Sequence, residues 1–264
     1  AYVLLGFDLQ LALLLGAILI VTGPTVMIPL LQHIRPKGQV NAILKWEGIL
    51  NDPIGAIIAV LVYEAMLAGD FSEVGFLVFA GVLKTVLIST IIAIFGAAAI
   101  YWPMRYRVLP EYLHVPVVFA LVTGLFTISN TVQEESGLLT VTFMGIILAN
   151  QKSVDMKPIL EFKENLRVLL ISCLFILLAA RLKMTDFELL TFESVLFVLG
   201  MIVIVRPLSI VLSSLNTTIS WREKVFLSWM APRGIVAAAV ASIMAIRLMS
   251  NGYPQAEKLV PIVF

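Results

Sequence analysis

Residues 9–33 read LQLALLLGAILIVTGPTVMIPLLQH, a run of 25 residues without Asp, Glu, Lys or Arg. A helix of about 20 apolar residues crosses the hydrocarbon core of a bilayer, so this stretch predicts a transmembrane segment. Thr22, Gly23, Pro24 and Thr25 fall near its middle, where Gly lowers helix propensity and Pro removes a backbone hydrogen bond. The stretch therefore predicts a membrane helix that is interrupted about halfway across.

Apolar stretches of this kind fill the rest of the chain. Of its 264 residues, 60% are apolar and 13% charged, against about 45 to 50% and about 25% in soluble domains. Windows bounded by charges or turn residues predict eight helices, at 9–33, 43–67, 74–101, 113–129, 137–150, 166–181, 192–214 and 222–247. We expect an all-α polytopic membrane bundle. Because the chain begins without Met and ends inside the apolar run LVPIVF, we also expect residues 1–264 to be a piece of a longer protein.

The basic residues predict the orientation of these helices, since Lys and Arg in short loops stay on the cytoplasmic side. With the first helix running inward, eleven basic residues collect in the cytoplasmic loops and four on the other side. The eleven are Arg35, Lys37, Lys45, Arg105, Arg107, Lys152, Lys157, Lys163, Arg167, Arg222 and Lys224. The four are Arg181, Lys183, Arg247 and Lys258. The alternation of basic and non-basic loops supports the count of eight helices.

Composition also excludes several classes of protein. The net charge is +1, whereas a nucleic-acid-binding protein needs a basic surface. Cys173 is the single cysteine, which excludes a disulfide framework and a zinc site built from cysteines.

The second predicted helix carries charges inside the membrane, in the run KWEGILNDPIGAI at 45–57. Asp52 lies seven residues beyond Lys45, which places it about 10 Å along the helix. Asn51 precedes it, and Pro53 leaves the carbonyl four residues earlier without a donor. A carboxylate, an amide and a free carbonyl are oxygen ligands suited to a small alkali cation or a proton. The alternative for Asp52, and more so for Glu47, is a structural carboxylate paired with a base.

The last predicted helix repeats the interruption in SWMAPRGIVAAAVAS at 228–242. Pro232, Arg233 and Gly234 lie near its middle. Two interrupted helices at midplane depth point to the binding site of a secondary transporter. A simple proline kink is the alternative for either helix alone.

Five runs, in chain order, carry a resemblance to a known family: TGPTVMIPLL, EGILNDPIGAI, VQEESGLLTVTFMGIILANQ, VRPLSI and APRGIVAAAVAS. Together they resemble the monovalent cation:proton antiporter superfamily, in its NhaP/NHE-like branch. The resemblance implies inverted repeats, two interrupted helices that cross, and a homodimer. It further implies one transporter membrane domain that lacks N-terminal spans and a C-terminal remainder. In that domain 9–67 and 192–264 form a core, and 74–181 is partly scaffold.

The resemblance also implies roles for single residues. Asp52 matches the aspartate that binds the cation and the proton, and Asn51 matches the asparagine of the electroneutral branch. Thr22 matches a threonine whose backbone oxygen contacts the ion. Glu47 and Arg233 match a buried ion pair that steadies the core.

Other positions depart from the family or are less well defined. Gly23 and Gly48 stand where some NhaP members have Asp and Ser near the ion, so the choice among Na⁺, K⁺ and Li⁺ does not carry over. Arg206 is expected to snorkel or to line the inner funnel, and Lys84 to pair with a carboxylate or carbonyl.

These observations predict a transporter that exchanges Na⁺, K⁺ or Li⁺ for H⁺ by alternating access, with both ions competing for Asp52. No enzyme activity and no cofactor beyond the transported ions are expected, and the predicted location is a bacterial inner membrane. A cation channel or ligand-gated K⁺ efflux pathway on the same fold is the alternative. An intramembrane aspartyl protease would need a second aspartate inside a predicted span, and an ATP-driven pump would need a nucleotide-binding loop. The sequence has neither feature, so it disfavours both classes.

Overall fold

All regular structure in the described part of the chain is helical. The structure is a computed structural model that describes residues 1–36, 38–68, 74–181, 191–230 and 234–263. The first eight helices are α1 Tyr2–Leu5, α2 Leu9–Ile18, α3 Pro24–Ile34, α4 Val40–Ala68, α5 Val74–Arg105, α6 His114–Val132, α7 Ser136–Asn150 and α8 Lys157–Arg181. They are followed by α9 Phe192–Gly200, α10 Arg206–Ser213, α11 Trp221–Trp229, α12 Ile235–Ser250 and α13 Leu259–Val263.

Several of these helices are long and apolar enough to cross a bilayer. Four have that length and composition, at Val40–Leu67, Val78–Arg105, Glu111–Val132 and Phe192–Ser213. Three shorter apolar helices lie at Leu9–Ile18, Ser136–Asn150 and Val236–Ser250. Two of these short segments, α2 and α12, belong to the interrupted helices.

The first interruption is confirmed. Helix α2 ends at Ile18, residues 19–23 leave the helical conformation, and α3 begins at Pro24. Gly23 has an extended backbone with φ −71° and ψ 142°. Proline suits the first position of a helix because its missing N–H would have no partner there. The Gly-Pro pair therefore ends one helix and starts the next.

The second interruption is confirmed on both sides of the segment that the structure leaves out. Helix α11 ends at Trp229, and Met230 is no longer helical. Gly234 has an extended backbone with φ −91° and ψ 164° and precedes α12. Pro232 and Arg233 lie outside the described residues.

The predicted start of the sixth helix, at residue 166, is wrong. Helix α8 begins at Lys157. The additional residues are rich in charge, and Arg167 forms an ion pair of 2.7 Å with Glu164 three residues earlier. An apolar window detects the part of a helix inside the membrane, whereas i,i+3 ion pairs extend it beyond.

The chain divides into two compact units. One comprises Ala1–Leu67 and Ala180–Phe264, and the other comprises Ala68–Ala179. In the first unit, α3, α4, α10 and α11 share a buried cluster of Met27, Leu31, Val40, Leu44, Ile210, Leu227 and Met230. This cluster joins one half of each interrupted helix to the helix that carries Asp52.

In the second unit, α7 packs against both α5 and α6. The core there consists of Ala93, Ala97, Ile100, Met104, Val118 and Met144. A methyl group on Gly96 would lie 2.5 Å from Leu125 Cδ1 and 2.9 Å from Met144 Sδ. Small residues let membrane helices approach closely, and Gly96 does so here.

Buried hydroxyl groups connect the same three helices. Ser89 Oγ donates to the Ser136 carbonyl at 3.0 Å, and Ser136 Oγ donates to the Ser129 carbonyl at 2.7 Å. Ser129 Oγ lies 2.7 Å from both Ser136 Oγ and Thr140 Oγ1. Since a hydroxyl has one proton, Ser129 donates to Ser136 and accepts from Thr140. All four side chains are 0% exposed, so every hydrogen bond replaces one to water.

We expect Ser129→Ala to destabilise the protein by about 1 to 2 kcal/mol, because it breaks two of these hydrogen bonds inside the second unit. Thermal melting in detergent measures the effect. Thr123→Ala is the matched control, since Thr123 is exposed and its Oγ1 donates to the carbonyl of Phe119 on its own helix. Equal melting temperatures for the two variants would contradict a stabilising role of the cluster.

Candidate functional site

Asp52 lies in the interior of α4 and is 9% exposed. Its Oδ1 atom is buried and has no hydrogen-bond partner among the described residues. The helix continues through Pro53, which has no N–H to donate to the carbonyl of Ile49. A buried polar atom without a partner costs free energy, so this carboxylate is poised to bind a proton or a cation.

Thr22 lies in the interruption between α2 and α3 and is 6% exposed. Its Oγ1 atom is also buried and has no partner in the part of the chain that the structure describes. Helix α2 ends just before this residue, and the negative end of a helix dipole attracts cations. Thr22 and Asp52 are therefore two oxygen-bearing side chains in the same unit whose ligand capacity is not satisfied.

Gly55 brings α4 against the interruption. It lies three residues after Asp52, and therefore close to the same face of the helix. A methyl group on Gly55 would lie 2.6 Å from Val21 Cγ2 and 2.9 Å from Val21 N. Since Val21 precedes Thr22, this close approach sets the Asp52 region of α4 against the interrupted segment.

We expect Gly55→Ala to push this segment away from α4, to cost about 1 to 3 kcal/mol by overpacking, and to raise the KM for the transported cation. Melting in detergent and cation titration of transport measure the two effects. Gly16→Ala in α2 is the control, because nothing lies within 4 Å of the added methyl group. If both variants behave alike, Gly55 does not set this distance.

Glu47 forms a bidentate ion pair with Arg206, the first residue of α10. Arg206 Nη1 donates to Glu47 Oε1, and Nη2 donates to Oε2 at 3.0 Å. The side chain of Glu47 is only 17% exposed and that of Arg206 only 14%. A bidentate pair is the geometry in which a buried carboxylate and guanidinium compensate each other best.

The same guanidinium also binds the end of α11. Arg206 Nη2 donates to the carbonyl of Met230 at 3.0 Å and to that of Leu227 at 3.3 Å. Leu227 belongs to the last turn of α11 and Met230 directly follows it, so both carbonyls lie at the negative end of the helix dipole. Arg206 thus connects the helix that holds Asp52 to the second interruption.

The structure differs from the sequence predictions for the partners of three charged residues. Glu47 has Arg206 as its partner, whereas the predicted partner Arg233 lies outside the described residues. Arg206 was expected to snorkel or to line a funnel, and it is instead a largely buried member of an ion pair. Lys84 is exposed on α5, and its predicted pairing is not found among the described residues.

The remaining predicted site residues lie where the interruptions and α4 place them. Asn51 is partly buried beside Asp52, and Gly23, Gly48 and Gly234 are buried. Pro24 occupies the first position of α3. The ligand roles predicted for Asp52, Asn51 and Thr22 stay predictions.

Interrupted membrane helices with a buried, unpartnered carboxylate nearby define a secondary transporter. The comparison with known families agrees with this class. The family described as "Sodium/hydrogen exchanger, transmembrane" matches residues 1–264, and the chain belongs to that family. It is an integral membrane protein of a transporter family rather than an enzyme.

Individual relatives are similar over most of the chain. The Na(+)/H(+) antiporter 1 of Methanocaldococcus jannaschii is 28% identical over 247 residues, which are 90% of this chain and 57% of that protein. The K(+)/H(+) antiporter NhaP2 of Shewanella sp. (strain MR-4) is 25% identical over 259 residues, which are 96% of this chain and 43% of that protein. The chain thus spans about half the length of these relatives.

A solved structure has the same fold. The sodium proton antiporter MjNhaP1 from Methanocaldococcus jannaschii at pH 8 matches with a TM-score of 0.79 and 24% identity. The match covers 95% of this chain and 67% of that chain. The predicted all-α polytopic fold is confirmed.

Proposed function

We propose that the protein exchanges a monovalent alkali cation for H⁺ across the membrane, and that Asp52 binds the two ions alternately. The observation that carries this proposal is the buried Oδ1 of Asp52, to which no described residue gives a hydrogen bond. Thr22 Oγ1, likewise unpartnered, supports a ligand at the adjoining interruption. Asn51 and the free carbonyl of Ile49 are further candidate ligands.

Obligatory exchange follows from the charge of a single carboxylate. With a proton or an alkali cation bound, Asp52 is neutral and can pass through the middle of the membrane. Without either ion it is a buried anion, and an uncompensated buried charge is strongly unfavourable. The site therefore changes sides only when loaded, and one cation moves for one proton. Asn51 in place of a second carboxylate supports this electroneutral stoichiometry.

The proposed transported ion is one of the monovalent alkali cations. The named relatives include both a Na(+)/H(+) and a K(+)/H(+) antiporter. Gly23 and Gly48 contribute no side-chain ligand, so water or backbone carbonyls complete the coordination shell. We expect Na⁺, Li⁺ and K⁺ each to drive exchange to some extent.

The architecture of the transporter is proposed on the same basis. Residues 9–67 and 192–264 form the core that carries the ion, and 74–181 contribute to the scaffold. Two copies form a homodimer in a bacterial cell membrane. Movement of the core relative to the scaffold provides alternating access.

Proteoliposomes that contain the full-length protein and a trapped pH dye test the exchange. Addition of Na⁺, Li⁺ or K⁺ outside should alkalinise the lumen, because each cation that enters drives a proton out, and choline should have no effect. With the membrane potential clamped, the rate should not change. A cation flux without an opposite proton flux, driven by the potential, would identify a channel and overturn the proposal.

A further inference from the structure

A cavity of about 510 Å³ lies between the end of α3 and the start of α4. Its walls are formed by Ile28, Leu31, Arg35, Pro36, Asn41 and Lys45. All of these residues belong to the first unit. The cavity lies at the end of α4 that the distribution of basic residues predicts to be cytoplasmic.

The cavity-lining face of α4 is also the face of Asp52. Asn41, Lys45, Gly48 and Asp52 follow one another at spacings of four, three and four residues. Such spacings keep residues on one face of a helix. Gly48 places no side chain on this face between Lys45 and Asp52.

The lining residues of α3 run toward the same place. Leu31 and Ile28 are spaced by three residues, the next position in this series is Pro24, and Arg35 directly follows the helix. Pro24 begins α3 at the interruption that contains Thr22. The two helices that border the cavity, α3 and α4, therefore both extend from it toward the residues of the proposed ion site.

We propose that Lys45 sets the affinity of the site for cations, by holding a positive charge in the cavity through which they reach Asp52. This inference rests on the proposed exchange function. Lys45 is exposed and forms no hydrogen bond or ion pair with any residue in the described part of the chain. Its ammonium group is therefore not held in an ion pair by a described neighbour.

The distance between the two residues gives the size of the effect. Lys45 and Asp52 are about 10 Å apart along the helix. At an effective dielectric constant of about 20 to 80, a unit charge at that distance weakens the binding of a monovalent cation about two- to fifteenfold. A proton carries the same charge, so Lys45 weakens proton binding by the same factor.

Charged groups on the helices packed against α4 also act on Asp52. On α4, Glu47 is paired with Arg206 of α10. His33 lies near the end of α3, and Arg35 directly follows that helix in the cavity wall. Helix α11 carries Arg222, Glu223 and Lys224 near its start, and Glu223 lies beside Gly38, just before α4. From the segment between α11 and α12, Arg233 lies outside the described residues. Replacing Lys45 alone changes one charge and leaves this set intact.

The test replaces Lys45 by Gln in the full-length protein and measures the cation KM of exchange in proteoliposomes. At alkaline pH, where protons do not compete, KM should fall about two- to fifteenfold. At acidic pH, KM should stay unchanged, because tighter cation binding and tighter proton competition cancel. With subsaturating cation, the pH of half-maximal exchange should rise by about 0.3 to 1.2 units.

Three comparisons make the result specific to charge. Lys45→Arg should keep the wild-type KM, and Lys152→Gln, an exposed lysine of the second unit, should also keep it. High concentrations of choline chloride should reduce the difference between wild type and Lys45→Gln, because salt screens exposed charges.

An unchanged KM at alkaline pH, a change that is equal at all pH values, or one that does not depend on salt would each overturn the inference. Loss of exchange in Asp52→Asn separates this outcome from failure of the proposed function. If Asp52→Asn exchanges normally, the ion site is misassigned, and the proposed role of Lys45 is then wrong as well.

Discussion

Asp52→Asn is expected to abolish cation-coupled proton flux while leaving the protein folded. The amide has nearly the same size as the carboxylate, but it neither releases a proton at physiological pH nor supplies a negative charge for a cation. Because Asp52 Oδ1 has no partner, the substitution breaks no hydrogen bond at that atom. It also removes a buried charge, so we expect the melting temperature to stay constant or to rise.

Flux through reconstituted protein with a trapped pH dye, measured for Na⁺, Li⁺ and K⁺, gives the first readout, and melting in detergent gives the second. Asp155→Asn is the matched control. Asp155 is exposed, and its carboxylate accepts a hydrogen bond from the backbone N–H of Lys157. This variant should transport normally. Normal flux in Asp52→Asn, or its loss together with a large drop in melting temperature, would refute the assignment of Asp52.

The interrupted helices and the position of Asp52 could be predicted from the sequence because their signals are local. A Gly-Pro pair in the middle of an apolar run interrupts a helix in almost any surroundings. An aspartate about 10 Å inside a membrane helix is costly wherever its partners lie, so it indicates function.

The contacts of Arg206 and Gly55 depend on tertiary structure and could not be predicted. Arg206 lies seven residues before Ser213, the end of its helix, at about the same depth that Asp52 has beyond Lys45. This depth indicates that Arg206 needs a partner, but it does not indicate which residue the partner is. The sequence does not distinguish Gly55 from other helical glycines, because its role depends on the contact with Val21, which is distant in sequence.

The hydroxyl cluster of the second unit was missed for a different reason. Ser129, Ser136 and Thr140 fall in a stretch whose polarity resembles a loop. Their hydrogen bonds join different helices, and serine or threonine can equally bond to its own helix, as Thr123 does. The residue type alone does not distinguish the two cases.

Arg206→Ala has the largest expected effect on stability. It leaves the carboxylate of Glu47 buried without a cation, and removal of one partner from a buried pair costs about 3 to 5 kcal/mol. The carbonyls of Leu227 and Met230 lose their donor as well. Melting in detergent measures the loss. Arg222→Ala is the control, because Arg222 is exposed at the start of α11 and surface substitutions change stability by about 0.5 kcal/mol or less.

Two further variants test which arginine pairs with Glu47 and how much the Glu47–Arg206 pair contributes to stability. Glu47→Gln combined with Arg206→Met removes both charges, so we expect it to recover much of the stability lost in Arg206→Ala. Arg233→Ala tests the other candidate partner of Glu47. If this variant melts far below wild type while Arg206→Ala does not, Glu47 is paired with Arg233. Since Arg206 contacts both α4 and the end of α11, its loss should also slow exchange in the double variant, even where stability returns.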